Sequence, residues 1–340
     1  MKVAEPSSEA QVKQAAAPLA RDARRKKRLT RDQWISIALV SPSLLAIAIF
    51  VYGFIGWSLL ASVSRWDGIV PDFTFVGLRN YLRLFGDARF QIDLRNTVFF
   101  TVAFLVSCLV IGLFLAIVLD QRIKGENIFR SVFLFPMALS FIVTGVVWRW
   151  LLNPGNEASG AVGINLLIHK LGMPWFRFGW FTDPTIWPGI PFGDIELFIP
   201  LGMIAIVLAA FWQMSGYTMA LYLAALRGIP EELREAARVD GATEVQIYRF
   251  IILPILQPIT LSAVIILGHI SLKIFDLVYA MTPGGGPAFV TDVPGLYMFK
   301  TVFQGNHYAL GAAISIIMLL LVAVLIVPYL IYSFRTEVQA

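Results

Sequence analysis

Glu232 to Pro254, ELREAARVDGATEVQIYRFIILP, is a polar, helix-forming stretch set between two long apolar ones. Pro230 stands where a helix can start, at a position whose missing N–H is not needed. Glu231 and Glu232 then fall in the first turn, where the helix dipole favours acids. Glu231–Arg234 and Glu235–Arg238 have the i,i+3 spacing of solvent-facing ion pairs. Gly241 is the natural C-terminal stop. Thr243-x-x-Gln246 matches a capping box that opens a second helix, and Pro254 interrupts the chain where it re-enters apolar sequence. The stretch predicts two short helices in an L, joined at Gly241. Ala236 and Ala237 leave a low surface against which another protein can pack closely.

The sequence on either side sets the fold class. Of 340 residues, 58% are hydrophobic and 14% charged, and mean hydropathy is +0.73. Soluble domains carry roughly 25% charged residues. About 20 apolar residues cross a bilayer core, and backbone in lipid must be helical or closed into a barrel. Six spans are predicted, at about 34–60, 94–119, 129–152, 198–226, 257–280 and 308–334, giving an all-α polytopic membrane protein.

Charge orients it. Net charge is +5, with Arg24, Arg25, Lys26, Lys27 and Arg28 just before the first span. Positive residues mark cytoplasmic segments, so both termini are expected in the cytoplasm, as is the loop 227–256. The loop 153–197 then falls outside. The loop 61–93 also falls outside although it carries Arg65, Arg79, Arg83 and Arg89. Residues 1–30 lack apolar periodicity and read as a disordered basic tail, leaving 31–340 as the transmembrane domain. The basic run reads as a topology signal with anionic-lipid contact rather than as a nucleic-acid site. The single cysteine, Cys108, lies mid-span and reads as a buried thiol.

The spacing Glu235-Ala236-Ala237, three residues, Gly241, nine residues, Ile251, one residue, Leu253-Pro254 resembles the EAA loop of membrane subunits of binding-protein-dependent ABC importers. The resemblance implies a type I importer permease fold with cytoplasmic coupling helices. It implies that Glu235, Ala236, Ala237, Arg238, Asp240, Gly241, Leu253 and Pro254 meet an ATPase on another chain. No G-x-x-x-x-G-K-[ST] occurs here, and Gly284-Gly285-Gly286-Pro287 lacks the following Lys of a phosphate loop. The resemblance thus places ATP and Mg on partner subunits, with no cofactor on this chain and no catalytic residue. Ser271–Pro287, SLKIFDLVYAMTPGGGP, is similar to the "FK-x-FD-x-x-Y-x-MT-x-GGP" pattern of carbohydrate importer permeases, especially the first permease of maltose and glycerol-phosphate type systems. That implies a second permease, two ATP-binding subunits, an external sugar-binding protein and a cytoplasmic (inner) membrane location.

Two groups of residues are candidates for the solute path. His269, Lys273, Asp276 and Ala280 share one face if span five is a continuous helix. Lys273 and Asp276 can then pair, either to fix helix packing or to line the path, with Tyr279 beside them. In span four, Trp212, Gln213, Ser215, Tyr217 and Thr218 combine aromatic faces with hydrogen-bonding groups, as sugar sites do, but Trp and Tyr are also ordinary packing residues. Gly284, Gly285, Gly286, Pro287, Trp175 and Trp180 are candidate contacts for the binding protein. The aromatic loop 153–197 reads equally as a membrane-surface belt, and a short surface helix is predicted at 162–171.

Two other classes compete. An ion-gradient-driven carrier needs internal repeats and intramembrane acids. Asp276 is the main span acid and no inverted repeat is evident. A membrane enzyme needs a clustered constellation, whereas His169, His269 and His307 show no ligand spacing, so no metal is expected.

Overall fold

The computed structural model describes residues 31–121, 124–156 and 160–337; the tail predicted for 1–30 lies outside them. The chain falls into two units, Met1–Gly56 and Trp57–Ala340. Helix α1, Ile35–Ser62, is the first span and contains a π turn at Ala48–Gly53. The second unit contributes α2 (Arg79–Phe85), α3 (Ala88–Asp120), α4 (Glu126–Leu134), α5 (Phe141–Leu151) and α6 (Gly163–Lys170). A hairpin follows, β1 (Ile186–Phe192) and β2 (Ile195–Pro200), then α7 (Leu201–Arg227), α8 (Glu231–Val239), α9 (Glu244–Ile247), α10 (Gln257–Leu272), α11 (Asp276–Met281), α12 (Pro294–Phe303) and α13 (Tyr308–Glu337).

Among the described residues, α1, α3, α7 and α13 are each long and apolar enough to cross a membrane, and the count reaches six if each of two bent helix pairs, Glu126–Ala138 with Phe141–Leu151 and Glu244–Ile255 with Gln257–Leu272, is one span. The third and fifth predicted spans therefore do not form straight helices. The third is bent by 100° between Ala138 and Phe141. Pro136 lies in a tight turn there, and Ser140 caps α5 by accepting a hydrogen bond from the Val143 amide. Span four holds the bend. The Gln213 amide nitrogen donates to the Leu139 carbonyl at 2.7 Å, and a Cβ on Gly216 would lie 2.0 Å from the Phe133 carbonyl oxygen.

The fifth span is the second correction. Its helix stops at Leu272 and restarts at Asp276, so 257–280 is not one helix. Packing overrides helix continuity: a Cβ on Gly145 in α5 would sit 2.6 Å from Ala280 Cβ and 3.1 Å from the Leu277 carbonyl. The break lets α11 turn against that glycine.

Helices α3 and α7 form the centre of the bundle. Small residues let them approach, since a Cβ on Gly112 would lie 2.2 Å from Thr218 Oγ1. Thr218 Oγ1 donates to the Cys108 carbonyl at 2.8 Å, and Cys108 is fully buried as expected. Phe100 and Phe104 stack at 5.4 Å within the same core. Gly216→Val is expected to force the α7–α4 seam apart. Overpacking at such sites costs about 1–3 kcal/mol, so the detergent-purified variant should show a lower thermal midpoint; a wild-type midpoint would refute the close approach.

The loop 153–197 departs from an all-α expectation. The helix predicted at 162–171 is α6, but Ile186–Phe192 and Ile195–Pro200 pair as an antiparallel hairpin. Pro188 and Pro191 mask the strand, because proline reads against a ladder. A free-standing two-stranded hairpin has edges enough to tolerate it. Arg95 Nη1 in α3 donates to the Glu196 carbonyl at 2.7 Å and ties the hairpin to the bundle.

Candidate functional sites

The loop 227–256 folds as the L its sequence predicts. The Gly241 amide donates to the Arg238 carbonyl at 3.1 Å and the Ala242 amide to the Ala237 carbonyl at 2.9 Å. That pair of hydrogen bonds closes α8 in a Schellman motif, with Gly241 at φ +82°. Both halves of the Thr243–Gln246 capping box are formed and start α9. Pro254 lies just before a 62° bend, between Ile255 and Gln257, into α10, and Leu253 and Pro254 are exposed there.

The two faces of α8 do different things. Ala237 turns inward onto Leu226, Ile229, Ile247 and Ile252, so the predicted low outward surface belongs to Ala236 alone. Arg234 anchors the helix to the end of α3 through two bonds of 3.0 Å to Asp120. The predicted Glu235–Arg238 pair is not formed. Arg238 instead reaches Glu244 across the elbow at 2.8 Å and Glu231 at 3.4 Å, because the Gly241 turn brings α9 back beside α8. Glu235 is left exposed and, among the described residues, without an ion-pair partner. Beside it are Ala236, Asp240 and two unusually bare apolar residues, Val239 at 87% and Val245 at 75% exposed. A cleft of about 1230 Å³, lined by residues such as Asp120, Arg227, Glu231 and Tyr248, opens next to α8.

At the opposite end of α3, the glycine-rich turn is braced by a cluster that sequence reasoning missed. Arg89 Nε and Nη2 donate to Asp292 Oδ2 at 2.9 and 2.6 Å. The guanidinium lies 4.6 Å from the ring centre of Phe289 and 4.4 Å from that of Tyr297. Tyr297 OH donates to Asp87 Oδ2 at 2.6 Å, and Asn96 Nδ2 donates to the Phe289 and Asp292 carbonyls, both at 2.9 Å. Asp292 is fully buried. Burial pushes its carboxyl above the usual range, and the Arg89 charge and hydrogen bonds oppose that rise. Asp93 lies in the same cluster, buried, with neither carboxylate oxygen hydrogen-bonded. The partners are 203 residues apart for Arg89 and Asp292, so no local spacing could reveal them.

This bracing reassigns part of the glycine turn. Gly285 is buried and its φ is +84°; a Cβ there would lie 2.8 Å from Asp292 Cγ. Gly286, at φ +72°, would likewise meet Thr291 Oγ1 at 2.8 Å. These two glycines shape the turn, while Gly284 and Pro287 are the exposed members. Trp175 is 77% exposed. Trp180 is instead fixed by donating to Asn165 Oδ1 at 2.9 Å, which makes it part of the loop's own core.

The solute-path candidates divide similarly. Gln213 is buried and spent on the third-span bend. Ser215 and Thr218 are buried as well. Tyr217 packs on the core. Trp212 stands at the edge, 5.8 Å from Trp148. The Lys273–Asp276 pair is not present, since the helix break separates them and both are exposed. His269 is half-buried with its Nδ1 unbonded. Tyr279 belongs to an aromatic column, 5.4 Å from Phe275 and 5.5 Å from Phe299, which continues to Phe303 at 5.2 Å. Phe299 and Phe303 come from α12, which no periodicity linked to α11.

The chain is similar to known proteins along most of its length. Residues 108–337 match the family described as "Binding-protein-dependent transport system inner membrane component". The chain is 40% identical over 301 residues to a probable ABC transporter permease protein of Pyrococcus horikoshii, covering 88% of this chain and 96% of that one. It is 36% identical over 290 residues to a xylose/arabinose import permease protein of Haloferax volcanii, covering 85% and 84%. It is 30% identical over 300 residues to a trehalose/maltose transport system permease protein of Thermococcus litoralis, covering 88% and 94%. Its fold is similar to that of a chain of a bacterial ABC transporter involved in alginate import, with a TM-score of 0.71 at 20% identity, covering 89% of this chain and 96% of the other. These matches lead to one family, and the ion-gradient carrier finds no support among them: the chain belongs to the inner membrane components of binding-protein-dependent transport systems and is an ABC importer permease.

Proposed function

We propose that the chain forms half of a pore through which a mono- or oligosaccharide, delivered by an external binding protein, enters the cell. Two partner subunits bind ATP with Mg and hydrolyse the ATP, and a second permease, a different chain, completes the pore. The observation that carries this reading is the exposed face of α8 and α9. Glu235 has no ion-pair partner among the described residues, and Val239 and Val245 are bare apolar residues. The face is held stiff by the Schellman closure, the capping box and Arg238. A rigid, partly apolar surface with one free acid suits a docked protein better than water. The sugar assignment is supported by the named relatives and by the Phe275–Tyr279–Phe299 column beside Asp276 and Lys273. Flat rings and hydrogen-bonding groups together match a sugar's C–H faces and hydroxyls. In vesicles holding the purified complex, labelled sugar should accumulate with ATP and binding protein, and not with an imposed ion gradient alone. Gradient-driven accumulation without ATP would refute it.

In this reading both termini and the 227–256 loop face the cytoplasm, with 153–197 outside. Single cysteines replacing Trp175 and Val245 in a Cys108→Ser background should differ on intact cells. An impermeant thiol reagent is expected to label the first and spare the second; the reverse pattern would invert the topology.

A further inference from the structure

At the end of the bundle opposite α8, three arginines surround one small pocket. Arg65, Arg79 and Arg83 line a cavity of about 290 Å³ with Asn80, Asp67 and Leu310. All three are exposed, and among the described residues none has a side-chain ion pair or hydrogen bond. The one acid in the lining, Asp67, is engaged by His307 Nδ1. Asp72, on the same loop, accepts from the Thr74 amide and hydroxyl. The pocket walls are fixed. Asn80 Nδ2 donates to the Ser62 and Ser64 carbonyls at 2.8 and 2.9 Å, and Tyr81 OH lies 2.7 Å from Ser62 Oγ. Three exposed guanidinium groups thus line a pocket whose one carboxylate is already engaged by His307, with Arg65 also interacting electrostatically with Asp72, and this positive excess favours an anion.

The position of α2 selects the anion's source. The helix lies between the end of α1 at Ser62 and the start of α3 at Ala88, with Arg79 and Arg83 one turn apart. Its inward side carries fully buried Leu84 and half-buried Tyr81. Leu78, Leu82 and Phe85, spaced i, i+4, i+7, are 67%, 75% and 53% exposed. An apolar stripe flanked by arginines at a span end is the pattern of a helix lying in the membrane interface. A soluble partner would leave that stripe in water; a lipid covers it with acyl chain.

We propose that Arg65, Arg79 and Arg83 bind the phosphate of an anionic phospholipid, whose acyl chain lies along Leu78, Leu82 and Phe85. Arginine's planar fork matches phosphate oxygens in pairs, and the excess of guanidinium over carboxylate favours a lipid with net negative charge over a zwitterionic one. The inference needs only the membrane location, not the transport reading.

The test is native mass spectrometry of the full chain, with its co-purifying subunits, titrated with phosphatidylglycerol or phosphatidylcholine of the same chain length. Wild type should retain one phosphatidylglycerol at least tenfold more tightly than Arg79→Gln/Arg83→Gln. Arg65→Gln should weaken it in the same direction, and Arg130→Gln, on the other face of the membrane, should not. Phosphatidylcholine binding should be equal in all variants. Unchanged phosphatidylglycerol binding in both pocket variants would overturn the proposal. Unchanged lipid binding together with lost uptake would overturn it too, and would assign the pocket to acidic side chains of a soluble partner. Because lipid retention is read without transport, its failure leaves the permease reading untouched.

Discussion

Glu235→Lys is expected to abolish ATP-driven uptake while the protein still inserts and folds. Glu235 is exposed and makes no ion pair among the described residues, so its reversal removes no observed contact from the permease itself. Against a docked ATPase, losing one partner of a desolvated charge pair costs about 2–5 kcal/mol. The low end corresponds to roughly a 30-fold loss of affinity, and a repulsive lysine adds to it. Gly241→Pro should have the same outcome by a different route. Gly241 sits at φ +82°, which proline cannot adopt, and its amide bond to the Arg238 carbonyl would be lost. A Cβ at this position meets open space. Gly241→Asn, which tolerates the left-handed region, should therefore retain most activity. Pull-down of the ATPase and uptake are measured together; normal coupling in both Glu235→Lys and Gly241→Pro would remove the docking role of the loop.

Arg89→Met is expected to be the most damaging substitution away from that loop. It leaves the fully buried Asp292 carboxylate without its partner, and breaking a buried pair costs about 3–5 kcal/mol. The glycine turn, which Asn96 and Asp292 hold against α3, should loosen, lowering yield and thermal midpoint. Arg89→Met/Asp292→Asn should recover much of the loss, because no uncompensated charge remains and contacting residues are not additive. Acidity gives a second readout. Burial holds the Asp292 carboxyl above its unfolded value, so its unfavourable contribution is absent below the unfolded pKa and grows as pH rises from there to the folded pKa. Without Arg89 that rise is larger, and the Arg89→Met deficit should shrink as pH falls. An additive double mutant and a pH-independent deficit would refute the pairing.

What the sequence could reveal follows from how local each signal is. The L of the coupling loop rests on Pro230, Gly241, and Thr243 with Gln246, all within a few residues of what they control, and each took its expected part. The four long spans follow from length and hydropathy alone, and the two bent pairs complete six if each is one span. The failures involve contacts that spacing within one helix does not show, several of them made across the bundle. Glu235 and Arg238 are correctly spaced, yet Arg238 prefers Glu244 because the elbow folds it back. Lys273 and Asp276 lost their shared face to a helix break set by α11 packing on Gly145 of another span. Gln213 looked like a solute ligand and instead satisfies the Leu139 carbonyl at a kink. Ala237 and Ala236 are neighbours in an EAA run, but a helix turns them to opposite duties. The Arg89–Asp292 brace had no local signal at all, and the hairpin at 186–200 was hidden by its own prolines.

The central claim is that α8 and α9 seat in an ATP-hydrolysing subunit, and a photocrosslinker placed at Ala236 tests it most directly. This position is exposed beside Glu235 and away from the contacts of Ala237. In native membranes, irradiation should yield one major adduct, and peptide sequencing of the captured chain should find a G-x-x-x-x-G-K-[ST] phosphate loop, absent from the permease. Capture of lipid alone, or of a chain lacking a nucleotide-binding loop, would contradict the account.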